Sequence, residues 1–164
     1  MVSPQHFAGS VDFFSCFVLR WVCLLGAGYD NIDVNACTAR GILVSNCPKV
    51  VDAATADTAV FLILAALRGF NNGIMAIRNG TWTGHVPPPP LGRDPDGKTL
   101  GILGLGGIGL NLKKKIEAFG MQVIYHNRTR LSDEMADGAV YVGFDELLAR
   151  SDVLSLNLPL NVSV

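Results

Sequence analysis

The sequence predicts an α/β fold with a doubly wound parallel sheet, and three observations support that prediction. Short, unbroken apolar runs alternate with helical segments along the chain, as expected for strands buried on both faces of a parallel sheet. Hydrophobic residues make up 49% of the 164 residues and charged residues only 16%, so much of the chain has to be buried. A glycine-rich turn at residues 104–109 joins one apolar run directly to a helical segment. Together these features indicate strands and helices that alternate in sequence.

The charge and the cysteines argue against several classes of partner. A formal net charge of −1 provides no broad positive field for nucleic acid or anionic lipid. The apolar stretch at residues 13–25 is interrupted by Arg20 and is too short to span a membrane. The four cysteines form no CxxC pair, so reduced, buried thiols are expected rather than a metal site or disulfides: Cys16, Cys23, Cys37 and Cys47. We therefore expect a cytoplasmic protein without metal, nucleic-acid or membrane partners.

The first assigned elements form a β-α-β alternation. Residues 21–25 are an unbroken apolar run that stops at a glycine turn, the pattern of a buried strand. Asn31 or Asp33 can cap a short helix through Ala39, and residues 42–45 predict a second buried strand. Residues 1–20 have no clear periodicity, and we assign them no role.

A long helix and a proline-rich connector follow. Residues 52–68 are rich in alanine and leucine, contain no glycine or proline and begin with an acid, so they predict a helix. This helix is apolar nearly all round, and we expect it to be buried. A second helical stretch runs to about Arg78. Four consecutive prolines then lie within a proline- and glycine-rich segment, residues 84–97, that we interpret as a connector between two modules.

The strongest motif follows the connector. A short apolar strand at residues 99–103, a GxGxxG turn and a helix at residues 110–119 occur in the order that dinucleotide binding requires. Gly104 permits the tight turn, Gly106 lets the backbone approach a diphosphate, and Gly109 permits close contact between helix and strand. An ordinary glycine-rich turn is the alternative. We expect the whole turn to contact the cofactor: Gly104, Leu105, Gly106, Gly107, Ile108 and Gly109.

The next strand, predicted at residues 121–125, indicates which dinucleotide binds. An acid at the end of this strand would bind the ribose 2′-hydroxyl of NAD, but residues 121–130 contain none. We therefore favour NADP(H) over NAD(H), with Arg128 as the main contact to the 2′-phosphate and Asn127, Thr129 and Arg130 in support. A solvated basic turn is the alternative. We expect the lysines at 113–115 to lie on an exposed helix face.

The remaining elements extend the sheet. Residues 139–142 predict a weak strand, residues 145–150 a short helix, and residues 152–158 an apolar strand. Ligands of such sheets lie beyond the carboxyl ends of the strands, so Leu158 and Pro159 should border the nicotinamide side. These elements make up an incomplete Rossmann-type sheet.

Five segments carry a resemblance to a known family. They are GAGYDNID at 26–33, ARGILVSNCP at 39–48, GKTLGILGLGGIG at 97–109, AFGMQVIYHNR at 118–128 and SDVLSLNLPL at 151–160. Over residues 21–161 the chain resembles the D-isomer-specific 2-hydroxyacid dehydrogenases. Its NRTR turn is most similar to that of the NADPH-type glyoxylate and hydroxypyruvate reductases and of fungal-type 2-oxoacid reductases.

The resemblance implies two domains. Residues 21–83 would be a partial, flavodoxin-like substrate domain with its connecting helices, residues 84–97 a hinge, and residues 98–164 a truncated NAD(P)-binding domain. Residues 1–20 stay unmatched. Ala27 and Gly28 would donate backbone N–H groups to the substrate carboxylate, although a simple strand-ending turn is the alternative. The family also implies a homodimer formed through the cofactor domain.

The resemblance also implies the chemistry. The family transfers hydride between NADPH and a 2-oxo acid such as glyoxylate or hydroxypyruvate, and uses an arginine, a glutamate and a histidine that would lie after Val164. None of His6, His85 and His126 matches that histidine, so we assign no catalytic residue. We expect a chain that is truncated at both ends and limited to cofactor binding, as a fragment, a shortened gene model or a cofactor-binding remnant. The alternative is a non-catalytic nucleotide-binding or dimerisation module.

Overall fold

The computed structural model describes residues 18–82 and 91–158, which form two compact units. The division lies between Pro48 and Lys49. The hinge expected at residues 84–97 lies partly outside the described residues and stays a prediction. The two helices that precede this segment belong to the same unit as the glycine-rich turn: residues 52–68 pack on the helix that follows the turn, and residues 70–78 pack on residues 52–68.

The first unit contains strand β1 (Trp21–Cys23), helix α1 (Val34–Ala39) and strand β2 (Leu43–Ser45). The two strands pair in parallel, which confirms the β-α-β prediction. Of the two candidate caps, Asp33 is the one used: its Oδ1 accepts a hydrogen bond from Ala36 N at 2.9 Å. Both strands are shorter than predicted, because their pairing begins at Trp21 and Leu43 and ends at Cys23 and Ser45.

The three described cysteines of this unit are free thiols, but not all of them are buried. Cys37 belongs to the core, whereas Cys23 is exposed and Cys47 is half-buried. The expectation of buried thiols is therefore wrong for Cys23, which lies at the end of a strand paired on one side only. Cys16 lies outside the described residues.

The second unit is built on a parallel sheet of four strands among the described residues. They are β3 (Thr99–Leu103), β4 (Gln122–His126), β5 (Val140–Tyr141) and β6 (Val153–Leu156), in the order β5-β4-β3-β6. Since β6 pairs with β3 and not with β5, the chain returns after β5 to the free side of β3. The strand order therefore reverses at β3. This confirms the doubly wound parallel sheet: β5-β4-β3 has the strand order of one Rossmann half, and β6 has the position of the first strand of the second half.

The helices of the second unit match the prediction with two exceptions. Helix α2 (Asp52–Arg68) has the predicted bounds, and α3 (Phe70–Arg78) and α6 (Phe144–Arg150) occur close to where they are expected. Helix α4 (Gly107–Ile116) begins three residues earlier than predicted, since its first turn forms within the glycine motif, and it continues as a 3₁₀ helix (Glu117–Phe119). Helix α5 (Asp133–Ala136) was not predicted. It is a single turn capped by Ser132, whose Oγ accepts from Met135 N at 3.3 Å.

Helices cover both faces of this sheet. Leu100 and Ile102 of β3, each fully buried, pack with Leu112 and Ile116 of α4 on one face. On the other face, Leu147 of α6 packs with side chains of β3 and β4. Each such buried aliphatic side chain contributes about 1.5–3 kcal/mol to the free energy of unfolding. Because strand side chains alternate between two covered faces, the central residues of β3 and β4 are apolar or aromatic on both faces.

Helix α2 is only partly buried, which corrects the expectation that it is buried all round. Ala56 and Ile63 belong to the core, but Phe61 and Leu62 are 59% and 58% exposed. The reason is that α2 packs mainly against α4, and this contact leaves Phe61 and Leu62 exposed. No single described helix is long and apolar enough to cross a membrane; α2 and α3 meet that test only as a pair, bent by 76°.

Lys113 corrects a second expectation. Although the three lysines were expected on an exposed face, Lys113 is only 3% exposed. Its Nζ pairs with Glu117 at 2.9 Å and with Asp137 at 3.4 Å. Burial lowers the pKa of this ammonium, but the hydrogen bonds and charges of Glu117 and Asp137 outweigh burial and raise the pKa above its ordinary value of 10.5. Lys113 therefore joins α4 to the turn after α5 as a charged residue.

We predict that Lys113→Met lowers the free energy of unfolding by about 1–2 kcal/mol near neutral pH, because the two ion pairs are lost while both carboxylates stay accessible to water. Because the pKa is raised in the folded state, this contribution is complete below pH 10.5 and disappears as the pH rises through the folded pKa. Urea unfolding of both proteins from about pH 7 to about pH 12 measures the difference. If the free energies of unfolding of the two proteins differed by the same amount at every pH, the charged pairing of Lys113 would be contradicted.

Candidate functional site

The turn between β3 and α4 contains a glycine that no other residue can replace. Gly104 has φ of +97°, which L side chains rarely adopt. A Cβ at this position would lie 2.6 Å from Asn157 O and 2.8 Å from Leu158 Cδ2. The turn is thus wedged against the residues that follow β6, and Asn157 N donates to Leu103 O at 2.8 Å in the same place.

At two further positions of the turn, 109 and 106, glycine is explained by different physical reasons. At Gly109 a Cβ would lie 2.8 Å from Gly104 O and 3.2 Å from Ile102 Cγ2, so the close contact of α4 with β3 requires glycine. At Gly106, which is exposed and extended with φ of −102°, a Cβ would meet no atom within 4 Å. The protein itself does not need glycine there. The space next to Gly106 is open, and it fits a diphosphate that approaches the backbone.

The N-terminus of α4 faces this open space with free donors. The first hydrogen bond of the helix runs from Leu110 N to Gly106 O at 2.9 Å. The amides of Gly107, Ile108 and Gly109 therefore have no acceptor within the helix. Together with the helix dipole they favour an anion at this end.

Sequence reasoning missed an acid beside the same turn. A Cβ on Gly107 would collide with Oδ2 of Asp52, the first residue of α2. A side chain at position 107 would therefore have to displace the carboxylate of Asp52. Nothing in the sequence signals this contact, because the two residues belong to different elements that meet only in the folded unit.

The turn after β4 presents one arginine more freely than the other. Arg130 pairs with Asp133 at 3.1 Å, and its guanidinium carbon lies 5.9 Å from the centre of the Tyr141 ring. Arg128 and Thr129 are exposed, and no described residue forms a hydrogen bond or ion pair with the Arg128 side chain. Arg128 is therefore the guanidinium of this turn that is available to a ligand.

Asn127 contacts the glycine-rich turn itself. Its Oδ1 accepts a hydrogen bond from Leu105 N at 2.6 Å. Leu105 is 2% exposed and packs in the core, so its side chain supports the turn from below. Leu158, 38% exposed, lies against Gly104, whereas Pro159 is outside the described residues.

His126 has structural contacts only. Its Nδ1 lies 2.9 Å from Val142 O, and its ring stacks on Tyr141 with the centroids 5.6 Å apart. That His126 has no catalytic role stays a prediction. His6 and His85 lie outside the described residues. In the described ranges, no group of three or more metal-ligating side chains is close enough to hold an ion.

In the first unit, the turn of the predicted substrate contacts is held by the segment after β2. Asn46 Nδ2 donates to Ala27 O at 2.7 Å, and Cys47 N donates to Gly26 O at 3.1 Å. These bonds use the carbonyl groups of the turn. The N–H groups of Ala27 and Gly28 have no hydrogen-bond acceptor among the described residues. Their contact with a substrate carboxylate stays a prediction.

The position of the glycine turn defines the class of protein. The turn lies at the carboxyl ends of β3 and β6, where the strand order reverses, and this is the place at which doubly wound sheets bind dinucleotides. The second unit is a Rossmann-type dinucleotide-binding unit. The profile of the family described as D-isomer specific 2-hydroxyacid dehydrogenase, NAD binding domain, matches residues 60–163. The chain belongs to this family.

Individual relatives agree with this assignment. The chain is 56% identical to 4-methyl-2-oxopentanoate reductase A of Aspergillus oryzae, over 88% of this chain and 43% of the relative. A crystal structure of a glyoxylate reductase from Paecilomyes thermophila is similar with a TM-score of 0.78 and 56% identity, over 90% of this chain and 44% of that one. The chain thus spans less than half the length of these relatives.

A third relative carries a bound cofactor. It is an NADPH-dependent glyoxylate/hydroxypyruvate reductase from Sinorhizobium meliloti, in complex with NADP and malonate. The TM-score is 0.75 at 36% identity, over 90% of this chain and 46% of that one.

We predict that Gly106→Ala and Gly109→Ala separate binding from stability. Gly106→Ala should change the free energy of unfolding by no more than about 1 kcal/mol, because the Cβ meets no atom, but should weaken dinucleotide binding at least about tenfold. Gly109→Ala should cost about 1–3 kcal/mol through the collision with Gly104 O. Urea unfolding and fluorescence titration with NADPH measure the two effects. Wild-type affinity of Gly106→Ala would show that no ligand uses the open space.

Proposed function

We propose that this protein is an NADP(H)-dependent 2-hydroxyacid dehydrogenase, and that the second unit is its cofactor-binding part. The observation that carries the cofactor preference is the free guanidinium of Arg128 on the turn after β4, in a segment without any Asp or Glu between residues 121 and 130. A guanidinium suits a 2′-phosphate, whereas an acid would suit the free ribose hydroxyl of NAD. The NADP-bound relative from Sinorhizobium supports the same choice.

Each part of the turn has a proposed role. The amides of Gly107, Ile108 and Gly109 bind the diphosphate, Gly106 gives it room, and Arg128 binds the 2′-phosphate, with Thr129 beside it. Leu158, which lies against Gly104, borders the nicotinamide side. When bound, NADPH supplies a hydride to the carbonyl carbon of a 2-oxo acid.

The substrate class is proposed from the relatives. Those described above are named as reductases of glyoxylate, hydroxypyruvate and 4-methyl-2-oxopentanoate, all of which are 2-oxo acids. Ala27 and Gly28 are proposed to donate their free N–H groups to the carboxylate that these acids share.

We predict that Arg128→Ala weakens NADPH binding about 10- to 100-fold and leaves NADH binding within about twofold, because one charge-assisted contact to the 2′-phosphate is lost. Arg130→Ala is the matched control. Its guanidinium is already paired with Asp133, so a smaller effect on NADPH is expected. Fluorescence titrations of all three proteins with both dinucleotides provide the dissociation constants. Equal affinity of the wild type for NADPH and NADH, or tighter NADH, would refute the preference.

We also propose that the second unit forms a homodimer. Exposed apolar side chains of α2 and α3 line a depression of about 370 Å³ together with Trp82 and Leu91, and Arg68 is its single charged lining residue among those described. Its apolar lining includes Phe61, Phe70, Ile74 and Ile77. Contiguous apolar surface of this kind is typical of an interface. In a symmetric dimer the same face of a second copy would cover it.

We predict that Ile77→Glu, a change at a 62% exposed residue of this depression, converts the dimer to a monomer without changing NADPH affinity by more than about twofold. Met135→Glu on α5 is the matched control, because Met135 is 58% exposed and lies outside the depression. Light scattering coupled to size-exclusion chromatography measures the mass. A monomeric wild type, or a dimer that survives Ile77→Glu, would contradict the proposed interface.

A further inference from the structure

We propose that Asn127 is a positioning residue, which ties the glycine-rich turn to the turn that carries Arg128 and does not itself bind the 2′-phosphate. This inference rests on the proposed function, because it assigns a role within the same cofactor site. It differs from the role that the sequence predicts for Asn127, which is support of the phosphate contact.

The first evidence is the pair of groups that Asn127 contacts. Its Oδ1 accepts from Leu105 N at 2.6 Å, and its Nδ2 donates to Leu105 O at 3.5 Å. The side-chain amide of Asn127 thus contacts both the N–H and the C=O of Leu105, the second residue of the turn. Beside it, Gly104 N donates to His126 O at 3.0 Å. These bonds join the end of β4 to the first two residues of the glycine-rich turn.

The second piece of evidence is that the segment from Asn127 to Leu131 is also held at its Leu131 end. Leu131 N donates to the hydroxyl of Tyr125 at 3.2 Å, and Tyr125 is buried in the core with 1% exposure. Arg128 and Thr129 therefore lie between two fixed points. The bond of Asn127 to Leu105 sets where this exposed pair begins relative to the diphosphate-binding amides.

The side-chain chemistry explains why asparagine suits this position. An aspartate could accept from Leu105 N in the same way, but it could not donate to Leu105 O. It would also place a negative charge one residue from Arg128, next to the proposed 2′-phosphate. Asparagine holds the turn without that charge, so position 127 contributes to cofactor choice through the turn and through the absence of a charge.

Titrations with NADPH and NADH distinguish an anchor from a phosphate ligand. If Asn127 is an anchor, Asn127→Ala weakens both dinucleotides by about the same factor, roughly tenfold, because the loss of one hydrogen bond disorders the turn that both of them use. Asn127→Asp keeps the bond to Leu105 N, so NADH binding stays within about threefold of wild type, while NADPH binding falls by about tenfold or more. Arg128→Ala is the control that weakens NADPH alone. An Asn127→Ala variant that loses NADPH selectively, or that binds both dinucleotides as wild type does, would overturn the proposal.

Amide exchange of the cofactor-free chain provides a test that does not depend on binding. The N–H of Leu105 has Asn127 Oδ1 as its acceptor. Its exchange should accelerate about tenfold or more in Asn127→Ala, stay protected in Asn127→Asp, and not change in Arg128→Ala. The amides of Leu100 and Ile102 in β3 report whether each variant is folded. Should Asn127→Ala not fold, the Asp variant decides: loss of Leu105 protection in that variant would overturn the proposal.

The two tests also separate this inference from the proposed function. A wild type that binds neither dinucleotide would refute the proposed function, while the exchange of Leu105 would still show whether Asn127 holds the turn.

Discussion

The close approach of α4 to β3 is the constraint on which the rest of the second unit depends. Two glycines make it possible: Gly109, where a Cβ would meet Gly104 O, and Gly104, where a Cβ would meet the backbone of Asn157. Because no side chain separates helix, strand and the segment after β6, the helix can begin at the end of the sheet. Its first amides are then directed at the point where the strand order reverses. The proposed diphosphate site is a consequence of this packing.

On the adenosine side of the proposed site, neighbouring residues give two arginines different roles. Arg128 and Arg130 are two residues apart and chemically identical, but Asp133 and the ring of Tyr141 engage only Arg130. Tyr125 and Asn127 hold the two ends of the segment between β4 and α5. An exposed guanidinium on a turn fixed at both ends costs less entropy to bind than one on a loose loop, since the backbone is already ordered.

Sequence patterns were sufficient where local chemistry dominates. The bounds of α2 follow from helix propensity and from Gly69, whose φ of +63° ends the helix. The glycine-rich turn and the parallel strands follow from the motif and from unbroken apolar runs. Sequence patterns failed where a partner comes from a distant part of the chain. Lys113 belongs to a run of three lysines that is typical of an exposed face. Its burial is compensated by the ion pairs with Glu117 and Asp137. Helix α5 was missed because a single capped turn is too short to show a hydrophobic periodicity in the sequence.

By itself the sequence determined the family of this protein, the α/β alternation and the position of the dinucleotide motif, because these depend on residue types at fixed spacing along the chain. The tertiary structure decided which glycines are required by packing, which arginine is free, and that Asn127 contacts Leu105. It also decided that much of the apolar surface of α2 and α3 stays exposed in this chain. Those outcomes depend on distances between elements, and such distances are set only when β3, β4 and β6 pair and the helices pack on them.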